Sequence, residues 1–389
     1  MKEPKTTHST PRKTALVLSG GGSRGAYQIG VWQALVELGW SFDMVVGVSV
    51  GSLNGTMVVQ DERLVAENLW RELETDNVFD VNRNAQPADF AIEFIKQGGA
   101  GTAGLKKVVD TFLDEDKVRK SDIDYGLVVV EFPSMKPLYL WKKDIPKGNL
   151  GDFIMASSSA YPAIHPYEIN GQRYIDGGFE NVLPIHMAVE HGATDIVAVY
   201  LDAAGRFDKE KEFASLGDSR LTFIQPRWDL GNFLLFDKAN TARIMRLGYL
   251  DAMKQFGVYE GRYYTFIKGE IDKRGLRGAD AAARFFELDP LVLYGRDTFL
   301  DALSEAVASA KVEHAELLKL GRKVLAQETL DLRQLRDLLV GYNQKGLVLI
   351  MAKDMAEKKE SSIFVNKYLI RMLGDEIAAA RFIDKVELV

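Results

Sequence analysis

Met44-Val-Val-Gly-Val-Ser-Val-Gly51 begins as a buried-strand run and passes directly into Gly47-Val48-Ser49-Val50-Gly51; apolar residues at helical spacing then follow from Leu53 to Leu73. A Gly-x-Ser-x-Gly pentad is weak evidence by itself. Between a strand and a helix it gains meaning, because small residues at 47 and 51 permit the strained turn that raises a serine hydroxyl at a helix N-terminus. A glycine-rich bend without chemistry is the alternative, and this context weighs against it. The reading therefore starts from a nucleophile elbow at Ser49.

Toward the N-terminus, Ser19-Gly20-Gly21-Gly22-Ser23-Arg24-Gly25 follows the apolar run Ala15–Leu18 and opens the helical pattern Ala26–Leu38. Glycines at 20, 22 and 25 let the chain turn tightly and leave main-chain N–H groups exposed at a helix N-terminus. Such a nest accepts negative charge, either a phosphate or a developing oxyanion. Gly20-x-Gly22-x-x-Gly25 also fits a dinucleotide fingerprint, with Asp43 roughly where a ribose-binding acid falls. A plain tight turn is the third reading, and the loop alone does not choose among them. A second elbow at Ser49 has no purpose in the dinucleotide reading.

A serine hydroxyl needs a base within hydrogen-bond reach. Of His8, His165, His186, His191 and His314, only His186 and His191 fall suitably downstream, both in a helical stretch. The elbow also arrives after a single earlier strand, too early for an ordinary histidine-based α/β-hydrolase. Tyr174-Ile-Asp-Gly-Gly178 instead offers a carboxylate, Asp176, at a strand end on flexible backbone. Its bland reading is an acidic turn. As a base, aspartate is ionised at neutral pH without tuning.

Further short apolar runs read as strands at Leu127–Phe132, Leu138–Trp141, Asp195–Tyr200 and Leu221–Ile224, with helical patterns between several of them. That alternation predicts parallel pairing in a doubly wound α/β fold. Asn170-Gly171, between Tyr167-Glu-Ile and Arg173-Tyr-Ile, predicts a hairpin closed by a type I′ turn. Composition changes near Pro290: all 11 prolines lie at or before it, and only 5 of the 34 glycines follow. Residues 291–389 carry 15 basic and 15 acidic side chains, with apolar residues at helical spacing (Leu300, Leu303, Ala306, Val307; then Leu317, Leu318, Leu320). They predict an all-helical subdomain without a catalytic group, its apolar stripe packed on the α/β core or on a second copy. Ser361 and Ser362 mark a capped start within it. The expected division is a flexible arm over 1–13, an α/β hydrolytic domain over 14–290 and a helical subdomain over 291–389.

The 49 basic and 55 acidic residues of the 389 leave a net charge of −6, which gives nucleic-acid binding no electrostatic footing. Absence of cysteine removes disulfides, thiolate catalysis and cysteine metal sites. No run approaches the ~18–20 apolar residues of a membrane-spanning helix, and the polar N-terminus lacks a signal-peptide core, so the expectation is cytoplasmic, with peripheral membrane contact. His186, Glu190 and His191 do not make a zinc motif, because the histidines are five apart rather than four. Asp114-Glu115-Asp116 and Asp122-x-Asp124 lack the glycine and glutamate of a calcium loop and read as solvated turns. Phe233-Leu-Leu-Phe236, with Trp228, reads either as the roof of an acyl pocket or as a buried helix start.

Gly-Gly-Gly-Ser-Arg-Gly (20–25), Gly-Val-Ser-Val-Gly (47–51) and Asp-Gly-Gly (176–178), in this order, resemble the patatin-like phospholipase family. Met155-Ala-Ser-Ser-Ser-Ala-Tyr-Pro-Ala163, Gly25-Ala-Tyr-Gln-Ile-Gly-Val31, Asn181 and Pro184 match as well, over about residues 14–205. The resemblance implies a three-layer α/β/α patatin-like fold and a metal-free, cofactor-free serine acyl hydrolase acting on lipid acyl esters. It implies Ser49 as nucleophile and Asp176 as base. The backbone of Gly20, Gly21 and Gly22 would form the oxyanion hole, with Arg24, Gly47, Gly51, Gly177 and Gly178 in support. Ser157, Ser158 and Ser159 either line the site or pack beneath it. The alternatives are a nucleotide-binding or regulatory module using the Gly20–Gly25 loop, or a catalytically silent scaffold. Expected partners are a lipid acyl ester, a membrane surface met peripherally, and a second copy through the helical tail.

Overall fold

The computed structural model describes residues 12–79, 101–316, 318–319, 344–365 and 367–388. The expected arm lies outside the described residues except for Arg12 and Lys13, as do Leu317 and Leu320 of the tail pattern. The chain divides into two compact units, Met1–Gln255 and Phe256–Val389, so the compositional break near Pro290 falls within the second.

Among the described residues, the first unit is built on eight strands: β1 (Thr14–Leu18), β2 (Met44–Gly47), β3 (Asp124–Phe132), β4 (Pro137–Trp141), β5 (Tyr167–Ile169), β6 (Gln172–Asp176), β7 (Asp195–Val199) and β8 (Arg220–Ile224). Their order is β5-β6-β3-β2-β1-β7-β8, with β4 also pairing β3. The β3-β2-β1-β7-β8 block is parallel as the alternation predicts, but β4, β5 and β6 run antiparallel, so the sheet is mixed. The antiparallel strands come as hairpins, which need only short connections where a parallel strand needs a crossover. Asn170 and Gly171 close one of them with φ of +52° and +82°, the left-handed pair that a type I′ turn requires.

The inner parallel strands β1, β2, β3 and β7 are largely apolar over their buried stretches because both faces are covered there. Ala15, Val17, Met44, Val46 and Val128 pack with Met187 and Ala188 of the helix Ile185–Glu190 on one face. Leu16 and Leu18 point the other way, toward Ile29, Trp32 and Leu35 of α1 (Ala26–Glu37). The result is a three-layer α/β/α sandwich. The single helical pattern Leu53–Leu73 is in fact two helices, α2 (Val50–Val59) and α3 (Arg63–Glu72), separated where Asp61 takes φ +56°. A short helix, α4 (Thr75–Val78), follows.

Chain direction places the chemistry. After β1 and β2 the chain moves to one side of the sheet, and β7 returns on the other side of β1. A parallel α/β sheet opens a crevice at the strand C-termini where this reversal occurs. The Gly20–Gly25 loop leaves β1 there, and Ser49 follows β2.

In the second unit, β9 (Tyr259–Glu260), β10 (Thr265–Ile267) and β11 (Leu293–Tyr294) form a small sheet beside the helices Leu276–Phe285, Arg296–Glu313, Gln344–Lys358, Lys367–Met372 and Gly374–Lys385. The C-terminal segment is thus helical, apart from Leu293–Tyr294 among its described residues. Arg296–Glu313 buries Phe299, Leu303, Val307 and Ala310, one face of an amphipathic helix. Ser362 accepts the Phe364 N–H at 3.2 Å and so caps a short 3₁₀ turn, with the helix proper starting only at Lys367.

Candidate active site

Ser49 stands between β2 and α2 with φ +54° and ψ −127°, a conformation that costs of order 1–3 kcal/mol in a non-glycine residue and persists only when the surroundings enforce it. The enforcement comes from its neighbours. A methyl group on Gly47 would lie 2.1 Å from the Gly51 carbonyl oxygen, and one on Gly51 would lie 2.2 Å from that of Leu18. Only glycine fits either position.

Strand registers bring the carboxylate to this turn. Gly47, the last residue of β2, pairs with Leu127 on β3, and two residues further along β3 Val129 pairs with Asp176, the last residue of β6. Asp176 therefore ends level with the elbow. Asp176 is 6% exposed, its carboxylate accepts the Gly178 N–H at 2.7 Å, and it borders the same cavity as Ser49. Burial pushes its pKa up to about 6, while the nearby Ser49 hydroxyl and the Gly178 N–H pull downward. An untuned aspartate was the sequence expectation. The environment instead raises its basicity, because the groups around it stabilise the charge less than water does.

The glycine loop lies against the same elbow: a methyl on Gly20 would sit 3.2 Å from the Ser49 Cβ. Gly20 commits its own N–H to the Val182 carbonyl at 3.1 Å, so it is not a donor for an incoming oxygen. Ser23 likewise donates to Phe233 O at 2.8 Å and Arg24 to Gly21 O at 3.1 Å. Of the loop's amides, those of Gly21 and Gly22 remain as candidates. Arg24 fixes the loop from outside, donating from Nε to the Gly231 carbonyl at 2.9 Å and from Nη1 to the carbonyls of Leu201 and Asp202. Gly177 abuts β3, where a methyl would meet Val128 O at 2.4 Å, and Gly178 O accepts the Arg206 N–H.

The triple serine divides its roles. Ser157 accepts the Ser49 N–H at 3.0 Å and donates to Val128 O at 2.8 Å; Ser159 O accepts the Asp176 N–H at 3.0 Å. Ser158 alone of the three lines the cavity. Ser157→Ala strands a buried N–H and a buried carbonyl, so it should cost about 1–3 kcal/mol of stability by urea midpoint and lower the turnover of the same preparation. Two further residues escaped the sequence reading. Gln28 donates to Ser19 O at 2.8 Å and accepts from Asn54 at 2.9 Å; Asn54 also donates to Gly25 O and accepts from the Trp70 indole at 2.9 Å. Both are buried amides set among mostly buried apolar neighbours in their helices, and that pattern was the available signal.

Ser49, Asp176 and Gly20–Gly22 open into a cavity of about 480 Å³ lined largely by apolar side chains. Val50, Leu53, Asn54, Thr56 and Met57 of α2 border it along most of that helix, and Trp70, Phe79, Phe112 and Phe236 add aromatic wall. Phe233 and Leu234 line it too, which supports the roof reading of that stretch, whereas Trp228 is not among the lining residues. The distractors sit elsewhere. His186 pairs with Glu212 and His191 with Asp124, each at 2.8 Å. Asp114 caps the helix Glu115–Lys120 instead of lying in a turn. Asp43 accepts from Thr14 at the opposite end of the sheet, out of reach of the glycine loop, so the dinucleotide reading loses its acid.

A serine near a buried carboxylate, beside uncommitted amides and an apolar cavity, has the parts that acyl transfer needs. Residues 16–189 match the patatin-like phospholipase family model. Patatin-like phospholipase domain-containing protein 7 of Mus musculus is 23% identical over 272 residues, covering 68% of this chain and 19% of its own length. Lysophospholipase NTE1 of Saccharomyces cerevisiae is 28% identical over 201 residues, covering 49% of this chain and 11% of its own. The chain thus matches a fifth or less of these relatives' length. Among solved structures, VipD of Legionella pneumophila aligns with TM-score 0.44 and 14% identity over 98% of this chain and 91% of its own.

Proposed function

We propose that the chain hydrolyses acyl esters of lipids, with Ser49 as nucleophile and Asp176 as its base. The observation that carries this reading is that Ser49, the buried Asp176 and the Gly20–Gly22 loop line the same apolar cavity. Ser49 Oγ attacks the ester carbonyl while Asp176 takes its proton. The carbonyl oxygen becomes an oxyanion facing the amides of Gly21 and Gly22. On collapse the C–O bond to the alcohol breaks, and Asp176 returns the proton to the leaving oxygen. Water then attacks the acyl-serine, its proton passes to Asp176 and on to Ser49, and the fatty acid leaves.

Phospholipids, lysophospholipids and neutral acyl esters all present the required carbonyl. The name of the yeast relative favours a lysophospholipid as first substrate. Lysophosphatidylcholine incubated with the purified protein should yield free fatty acid and glycerophosphocholine. Release of choline or phosphocholine without fatty acid would place cleavage at a phosphoester and refute the reading.

A further inference from the structure

The segment Gly231–Phe236 touches both halves of the site. At one end its backbone holds the glycine loop through three successive carbonyls: Gly231 O accepts from Arg24 Nε at 2.9 Å, Asn232 O from Ser23 Oγ at 2.9 Å and Phe233 O from the Ser23 N–H at 2.8 Å. Phe233 O also lies so close to Gly22 that an added methyl would be 2.1 Å away. At the other end Phe236 forms part of the cavity wall. Its ring is stacked on Trp70 at 5.9 Å and meets Phe79 edge-on at 6.0 Å. Its backbone is tied to α4, where Thr75 Oγ1 accepts the Phe236 N–H at 3.0 Å and donates to its carbonyl at 3.3 Å.

We infer that this strap transmits filling of the cavity by an acyl chain to the glycine loop, so that a long acyl chain raises turnover and not only affinity. The inference rests on the hydrolase reading and adds to it a preference for long-chain acyl esters expressed in kcat. A chain lying in the cavity packs on the Phe236 and Trp70 rings and holds the strap where it is seen. An ester too short to reach them leaves that surface without partner atoms. Movement at Phe236 is carried back three residues to Phe233 O, which cannot shift without displacing Ser23 and Gly22. Binding energy from a remote part of a substrate accelerates chemistry only where it improves the transition state, and aligning the amides of Gly21 and Gly22 is such an improvement.

Thr75 offers the cleanest test, since it latches the strap without lining the cavity. Thr75→Val keeps the shape and removes the hydroxyl, while Thr75→Ser restores it. Steady-state kinetics on p-nitrophenyl butyrate and decanoate should give the wild type a roughly tenfold higher kcat on decanoate, within the ~10²-fold that a 1 Å misplacement costs. Thr75→Val should bring that ratio toward one with butyrate kcat unchanged, and Thr75→Ser should recover it. Phe236→Leu, which keeps the wall apolar but removes the ring from between Trp70 and Phe79, should also collapse the ratio. A Thr75→Val protein that loses rate equally on both esters, or changes only the KM for decanoate, would overturn the inference and leave the hydrolase reading standing. A wild type inactive on both esters would remove that reading, and the inference with it.

Discussion

Asp176→Asn is expected to lower turnover by about 10³–10⁴-fold, the scale on which an isosteric loss of charge acts in a serine triad. It should stabilise the fold at the same time. Asp176 is buried, and its pKa is raised from 3.8 to about 6, so the native state holds the proton more tightly than the unfolded chain does. A raised carboxyl pKa means that wild-type stability declines as pH climbs from about 4 through 6. The ionised form at neutral pH then costs on the order of 3 kcal/mol relative to a neutral group. The variant has no such term. Its melting temperature should exceed that of the wild type at pH 7.5, and the gap should close near pH 4. Activity follows the opposite sense, because the base works when ionised: kcat/KM should rise through pH 6 and then level off. A variant that stays active, or a gap that widens toward low pH, would contradict this assignment.

Gly22→Ala is expected to cost about 10²–10³ in kcat, comparable with deleting one oxyanion donor. The residue has φ +54°, and the new methyl would lie 2.1 Å from a backbone carbonyl that itself holds the Ser23 N–H. Backbone on both sides has no rotamer with which to give way. Gly39 provides the matched control: its φ is +75°, but nothing lies within 4 Å of an added Cβ. Gly39→Ala therefore carries the conformational strain without the collision, and it should leave kcat near wild type. Equal losses at both positions would point to general destabilisation.

The elbow, the glycine loop, Asp176 and the six predicted strands were legible because each depends on local rules: strand runs, turn residues, and glycine where backbone approaches backbone. The Asn170-Gly171 hairpin was legible for the same reason. What escaped depends on long-range register or on burial. The short link from Phe132 to Pro137 permits only a hairpin between β3 and β4. Nothing near β6 in sequence, by contrast, says that it pairs antiparallel with β3, and the pairing of Val129 with Asp176 is what levels the carboxylate with Ser49. Ser157 gave no sign of which of three adjacent serines would reach the elbow. The engaged amide of Gly20 follows from Val182, more than 160 residues away. The basicity of Asp176 depends on enclosure, which a sequence motif does not carry.

Covalent labelling tests the central claim most directly. Purified wild-type protein treated with a fluorophosphonate probe, digested and mapped by mass spectrometry should carry the adduct on Ser49. The adduct should disappear in Ser49→Ala and be strongly slowed in Asp176→Asn. An unlabelled wild type that is folded, or an adduct on another serine that persists in Ser49→Ala, would contradict the assignment of Ser49 as the nucleophile.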